Sequence, residues 1–553
     1  MYHNNDTVTS RHLNSGSVES VNREIIFLLL GVSLLLSCGV ENRADAKSGQ
    51  KLLTVVQSSD ILTLDPYTMN ETVTQSVLHN IMEPLIKLDR DLKIDVESCL
   101  AEGWRNPDDY TWIFNIRPGV RFHNGKGLTA DDVKASIERA MFHPLTDFGG
   151  GLGNIASISA ENNNTLLIKM KEPNVILPYI LSLCMIISRE QAELWHNDEL
   201  TEKPIGTGPY RLTAWKKGKS VQLEAFDDYW KGKPSFQRVF FIPESNPRKR
   251  IDKILERNAD LVVDIPVDMV DDVKERNDVE LITQESLRVI YLGFDMARDK
   301  SPYINKVPNP LKKIEVRQAI YLAIDEEKII KDVLRGYGKP ASQFCSPYVF
   351  GFNPRLERPP YDPERAKKLL VEAGYPDGFT ITLHCPNNRY VKDEEIGAAV
   401  AEQLEEVGIK VVVNAMSKEE FFPGFTEGNY SFFLVGWDCA MGDASSVFIH
   451  CLHTKDQPDY GFFNAGNYSN AKLDSIIELI EVTLDPIKRM QLFESAQELG
   501  MRDLPWVPLH TQVNIYGSRR GVPFEPRLDK QIPLFELSPL RYITRLIEKE
   551  VNR

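Results

Sequence analysis

An α/β fold built around a parallel, doubly wound sheet is the reading this sequence supports, and three observations carry it. From Phe379 onward strand and helix signals alternate with short connections: "FTITLHC", "DEEIGAAVAEQLEEVG", "KVVVNA", "KEEFFPGF" and "YSFFLVGW". Such alternation packs helices on both faces of a parallel sheet. Apolar residues at 42% and charged residues at 26% are ordinary for a soluble globular protein. At 553 residues the chain exceeds what one hydrophobic core organises, so two or three domains are expected.

Taken from the N-terminus, residues 1–24 are polar and barely basic, with Arg11 and Arg23 against Asp6, Glu19 and Glu24. The apolar run from Ile25 to Ser37 falls short of the roughly 20 residues a bilayer-spanning helix needs. A secretory signal has an apolar core of about 7–15 residues ending at small residues. Leu35 and Ser37 ahead of Cys38 resemble the bacterial lipobox, in which the cysteine thiol receives a lipid and becomes the mature N-terminus. The alternatives are an ordinary signal peptide or a buried helix with a chance cysteine. On the lipobox reading residues 1–37 are a signal peptide, and 38–50, polar with Gly and Ala, form a tether.

A strand follows in "KLLTVVQ", then a helix with Val73, Val77, Ile81 and Leu85 at helical spacing. The segment from Tyr110 to Ile116 alternates apolar and polar and turns at Pro118-Gly119, predicting a hairpin. Thr129 caps a helix whose first turn holds Asp131 and Asp132, where the helix dipole favours acids. "YRLTAWKKGKSVQLEAF" predicts a second hairpin, and 311–335 is strongly helical. In a doubly wound sheet, ligands sit beyond the carboxyl ends of the strands, which marks the loops beginning at Cys385 and Trp437. No internal repeat or low-complexity tract is visible.

The formal net charge of −14 argues against a nucleic-acid partner. Beyond Cys38, six cysteines in so long a chain are no disulfide scaffold, and none stands in a CxxC pair. If "FTITLHC" and "YSFFLVGWDC" are adjacent parallel strands, Cys385 and Cys439 could bridge at their carboxyl ends, while Cys99 and Cys184 are expected to be free and buried. There is no GxSxG elbow, HExxH zinc helix or GxxxxGK phosphate loop. Ser48-Gly49-Gln50-Lys51 fits SxxK, but in the tether nothing preorganises it. His450, Cys451 and His453 are of ligand type for zinc or nickel, yet within four residues of a helix they cannot all face one ion. No metal, no other cofactor and no catalytic residue is therefore expected.

Four long segments, in order, resemble the extracellular solute-binding proteins of the dipeptide, oligopeptide and nickel type that feed ABC importers. They are "LAEGWRNPDDYTWIFNIRPGVRFHNGKGLTADDVKASIERAM" (100–141), "PIGTGPYRLTAWKKGKSVQLEAFDDYW" (204–230), "VRQAIYLAIDEEKII" (316–330) and "DPERAKKLLVEAGYPDGFTITLHCP" (362–386). The lipobox agrees, since such binders are often lipid-anchored. The resemblance implies a type II periplasmic-binding-protein fold: two α/β lobes closing on a cleft, plus an additional smaller lobe. Residues 51–88, 206–290 and 511–553 would form a discontinuous lobe I, 89–205 the additional lobe, and 291–510 the lobe III that carries the ligand-binding α/β unit. It further implies no catalysis, a peptide ligand captured for an ABC permease, and a monomer. The protein would be lipid-anchored at the periplasmic or extracellular face of the cytoplasmic membrane. Nickel chelates, haem and sugars are other ligands within the resemblance. A secreted peptide or ester hydrolase, or a peptide-sensing or chaperone-like surface protein, would be different classes altogether.

A buried peptide must have its carboxylate, amine and backbone groups satisfied, because each costs several kcal/mol when desolvated alone. In the dipeptide binders an Arg after the "ITL" strand takes the ligand carboxylate. The matching segment "HCPNNRY" places Arg389 there, beside Tyr390, and its guanidinium fork suits a carboxylate bidentately. The alternative for Arg389 is an ion pair with Asp393. The family's amine-binding Asp aligns with Ala440, so Asp438 or Asp443 would have to stand in. Trp437 is expected to wall the side-chain pocket, with Thr68, Met69 and Asn70 lining the opposite lobe.

Overall fold

The structure, a computed structural model, describes residues 51–539 apart from 69–70, 144–145, 147–148, 195–199, 201, 307 and 456–459. Cys38, the signal and the whole tether lie outside the described residues, as do Met69 and Asn70. Among the described residues no helix is long and apolar enough to cross a membrane.

Eleven strands join in one sheet. In chain order they are β1 (Leu52–Gln57), β2 (Tyr210–Lys216), β3 (Ser220–Ala225), β4 (Arg238–Pro243), β5 (Leu261–Val262), β6 (Val279–Phe294), β7 (Gly338–Pro340), β8 (Phe379–Pro386), β9 (Ile409–Met416), β10 (Phe432–Asp438) and β11 (Trp506–Arg519). Across the sheet the order is β9-β8-β10-β6-β11-β5-β1-β4-β3-β2, with β7 on β11. The block β9-β8-β10 is parallel, as the alternation from Phe379 predicts, with the Asp393–Glu405 and Lys418–Thr426 helices as crossovers. The sheet as a whole is mixed. β6 and β11 are antiparallel to each other, and β6 is antiparallel to β10.

Those two strands do not pair evenly. Val279–Glu285 lies against Val513–Arg519 and Val289–Gly293 against Trp506–Thr511, with register shifts between Glu285 and Val289 and between Ile290 and Tyr291. A bulge of this kind frees residues from a ladder and re-aims their side chains. Arg288 leaves the β11 ladder here yet stays opposite Asp438 on β10.

Alternation along the strands divides the apolar side chains among separate cores. Leu53 and Val55 of β1 and Leu261 of β5 point into one cluster. Val56 and Val262 point into another, with Ile251, Ile254, Val267, Val270 and Val273. Ile381, Leu383, Phe432 and Leu434 belong to a third, around the parallel block. Two ion pairs tie elements of the second cluster to elements of the third. Lys392 Nζ lies 2.5 Å from Asp268 Oδ2, and Arg335 Nη2 lies 2.5 Å from Asp271 Oδ2. A separate four-stranded antiparallel sheet has the order Ala101–Asp108, Thr111–Ile116, Thr165–Met170 and Ile155–Asn162. It shares the first cluster through Phe114, Ile116, Leu166 and Ile168.

Local expectations mostly hold. Asp132 Oδ2 accepts the Thr129 N–H at 2.9 Å and its hydroxyl at 2.7 Å, closing the start of the Ala130–Phe142 helix. The first hairpin turns at 109–110 rather than at Pro118-Gly119, because Thr111–Ile116 pairs back onto Ala101–Asp108. Gly206 and Gly208 serve close approach, not an unusual φ: a Cβ would stand 2.2 Å and 2.7 Å, respectively, from the Ile81 carbonyl oxygen. The Gly208 N–H donates to that carbonyl at 3.0 Å.

The bridge between Cys385 and Cys439 is not formed; both are free and buried, as are Cys99 and Cys184. The strands are adjacent and parallel, but the register sets Leu383 beside Phe432. Cys439 therefore lies several rungs past Cys385, at roughly 3.3 Å per residue, far beyond the 4.4–6.8 Å a disulfide spans.

Candidate ligand-binding site

The loop after β8 is shaped by one carboxylate. Asp393, buried at the start of the following helix, accepts the backbone N–H groups of Arg389 and Tyr390 at 3.0 Å each. That use of Asp393 differs from the alternative weighed for it. It holds the loop's backbone and leaves the Arg389 guanidinium free. Among the described residues no carboxylate lies within ion-pairing distance of that guanidinium; its close neighbour is the Tyr390 ring, 5.5 Å from the Arg389 Cζ. The side chain is open to solvent but recessed among protein groups, so loss of solvent and then the Arg288 charge lower its pKa.

Tyr390 is buried, and its hydroxyl donates to the Gly436 carbonyl at 3.2 Å. Its ring also receives Arg288, whose Cζ lies 5.8 Å from the centroid. Two guanidiniums thus share one aromatic ring, the quadrupole easing their mutual repulsion. Gly436 makes room for the second: a Cβ there would lie 3.0 Å from the Arg288 Cδ and 2.6 Å from the Ile290 Cδ1. Two residues on, Asp438 Oδ2 meets Arg288 Nη2 at 3.2 Å, with both side chains partly open.

Lys530 stands on the C-terminal segment. It is half-buried with a left-handed φ of 63°, a conformation unusual for a non-glycine residue and frequent at functional sites. Burial, then Arg288, lowers its pKa; Asp438 and Asp264 oppose this and Arg389 adds to it, so Lys530 shares their surroundings.

The other sequence candidates fall in different places. Asp443 is locked to Arg489, with Nη2 to Oδ1 at 2.9 Å, and accepts the Ser445 N–H at 2.9 Å, all of it buried. It is filled by the protein's own groups and offers no face to a ligand amine. Ala440 is exposed. Trp437 is half-buried, donates to Ser446 Oγ at 3.3 Å and packs near His450 and Phe463. Thr68 is half-buried in the loop after β1, following Tyr67, whose buried hydroxyl donates to the Met185 carbonyl at 2.7 Å. His450 and His453 diverge: one ring faces Trp437, while the other is buried and stacked 4.1 Å from Tyr460. Among the described residues no group of three His, Cys, Asp or Glu side chains is arranged to hold a metal ion.

The structure sets Arg288 beside Arg389, Tyr390 and Asp438, and sequence reasoning did not single out Arg288 or Lys530. A signal for Arg288 exists, a lone charge inside the otherwise apolar strand "LRVIYLGF". Lys530 has none, since its place depends on a backbone conformation and on a distant segment.

Comparison with known proteins gives this arrangement a context. The family described as bacterial extracellular solute-binding proteins, family 5 Middle, matches residues 95–459. The glutathione-binding protein GsiB of Escherichia coli (strain K12) is 28% identical over 499 residues, covering 88% of this chain and 92% of its own. HbpA2 from Haemophilus parasuis superposes with a TM-score of 0.77 at 22% identity, covering 87% of this chain and 98% of that one. The periplasmic binding protein DppA from Helicobacter pylori, solved with the peptide STSA, has a TM-score of 0.71 at 23% identity and covers 88% and 97%.

Proposed function

The chain belongs to the family 5 bacterial extracellular solute-binding proteins, the binding components of ABC importers and not enzymes, and from that premise we propose that its solute is a peptide held in the cleft by its carboxylate. The observation that carries this reading is the Arg389 guanidinium, recessed at the carboxyl end of a parallel strand without a carboxylate of its own. A ligand carboxylate supplies the missing partner, and the planar fork receives it bidentately. The likeness to proteins named for glutathione, itself a peptide, and to a fold solved with bound peptide supports the reading.

The remaining roles follow from position. Asp438, not Asp443, is the acid available to a ligand amine, in competition with Arg288. Trp437 and Tyr390 wall the pocket, and Thr68 lines the facing lobe. Lobe I is built from 51–88, 206–290 and 511–553, the smaller lobe from 89–205 and lobe III from 291–510. The protein acts as a monomer tethered through lipid on Cys38.

Native mass spectrometry of freshly purified protein tests the proposal. A co-purifying peptide, confirmed by saturable calorimetric binding without turnover, is the expected result. A nickel chelate, haem or oligosaccharide in its place would replace the peptide reading.

A further inference from the structure

Asp393 uses both of its oxygens on backbone donors. Oδ2 accepts the N–H groups of Arg389 and Tyr390 at 3.0 Å each, and Oδ1 accepts that of Glu394 at 3.2 Å. The residue is only 2% exposed and opens the Asp393–Glu405 helix, where the dipole favours a negative charge. The chain closes over this carboxylate through Lys392, whose φ of 58° is left-handed and whose Nζ lies 2.9 Å from Glu395 Oε1. The turn that carries Arg389 is thus wrapped around one buried side chain.

Tyr390 passes the constraint on. Asp393 holds its backbone and the Gly436 carbonyl accepts its hydroxyl at 3.2 Å, so the ring is fixed at both ends. The Arg389 Cζ lies 5.5 Å from the centroid of that ring, and an aromatic face attracts a guanidinium.

We infer that Asp393 is the positioning residue for the ligand carboxylate: by holding the backbone of Arg389 and the ring of Tyr390 it sets the preference of the site for a free carboxylate over an amide. The inference rests on the peptide reading above. A bidentate pair is directional, and a binding constellation tolerates only about 0.5 Å and 10–20° of misplacement. A loop released from Asp393 keeps the charge of Arg389 but loses its aim.

Calorimetry on the purified protein with Ala-Ala-Ala and its C-terminal amide tests the inference. Wild type should bind the free acid about thirtyfold or more tightly than the amide. Asp393→Asn keeps the shape of the side chain but must turn its NH2 group toward one set of N–H donors, so it satisfies only the other. The ratio of acid to amide affinity should fall at least about threefold in Asp393→Asn, and to within about threefold of unity in Asp393→Ala. In Arg389→Ala the ratio is already lost, and adding Asp393→Asn should move it no further, as expected of residues that act through one another. Asp393→Asn is isosteric and keeps the test available if Asp393→Ala fails to fold. If Asp393→Asn weakens acid and amide alike, so that their ratio changes less than about threefold, Asp393 is structural only and the inference is overturned. A further fall in the ratio on the Arg389→Ala background overturns it as well. A wild type that binds acid and amide equally, or binds neither, overturns the carboxylate grip on which the inference rests.

Discussion

Arg489 reaches Asp443 inside the protein, donating from Nη2 to Oδ1 at 2.9 Å, with both side chains almost wholly removed from solvent. Asp438, five residues earlier, meets Arg288 at 3.2 Å where both are partly open. The same chemical pair thus occurs once sealed from solvent and once partly open to it.

Asp443→Asn should therefore be a stability mutation. Breaking one side of a buried ion pair leaves an uncompensated charge and costs about 3–5 kcal/mol. Asp438→Asn, at a partly exposed pair, should cost about 1 kcal/mol or less. Urea unfolding of both variants measures the difference; equal losses would contradict the assignment. In calorimetry, Asp438→Asn should weaken a free-amine peptide more than its N-acetylated form.

Arg389→Ala should weaken peptide binding by about 2–5 kcal/mol, or roughly 30- to several-thousand-fold, by leaving the ligand carboxylate buried without a partner. Arg389→Lys should lose part of this, since a point charge cannot reproduce the fork. Binding unchanged in Arg389→Ala would make the residue structural and remove the basis of the carboxylate grip.

Acid should destabilise the fold through its buried imidazoles. Burial pulls the His384 pKa down to about 4, and that of His123 likewise to about 4 against the opposing effect of its contact with the Gly208 carbonyl. Above the unfolded value near 6.5 neither state is protonated and nothing is lost. Between about 6.5 and 4 the unfolded chain binds a proton that the fold refuses, so stability drops by about 1.4 kcal/mol per pH unit for each such histidine. His384 stacks 4.2 Å from the Tyr430 ring and lies beside Tyr303. His384→Phe keeps an aromatic ring there and should shrink the loss between pH 6.5 and 4.5 by about 2 kcal/mol. Denaturant titrations at both pH values check this; identical losses would exclude His384 as a contributor.

Cys38→Ala should abolish labelling by a radioactive fatty acid and release the protein from the membrane fraction. Continued labelling of the variant would rule out the lipobox.

The parallel block was legible because its physics is local. Period-2 apolar alternation in "FTITLHC" and the helical pattern that follows it need no distant partner. Arg389 was legible for the same reason, since it follows a strand end directly. The cysteine bridge failed because residue count along two strands does not fix their relative register. Asp443 was misleading because its partner, Arg489, is carried by a helix far along the chain. Arg288 and Lys530 escaped because a bulge between two long strands and a left-handed turn decide where they stand.

The ion pairs joining Lys392 to Asp268 and Arg335 to Asp271 are the salt-sensitive part of how these elements hold each other. Both are partly or largely exposed, and pairs of that kind contribute roughly 0.2–1 kcal/mol each, less as salt rises. Screening them with salt removes little, because the elements they join also share the eleven-stranded sheet.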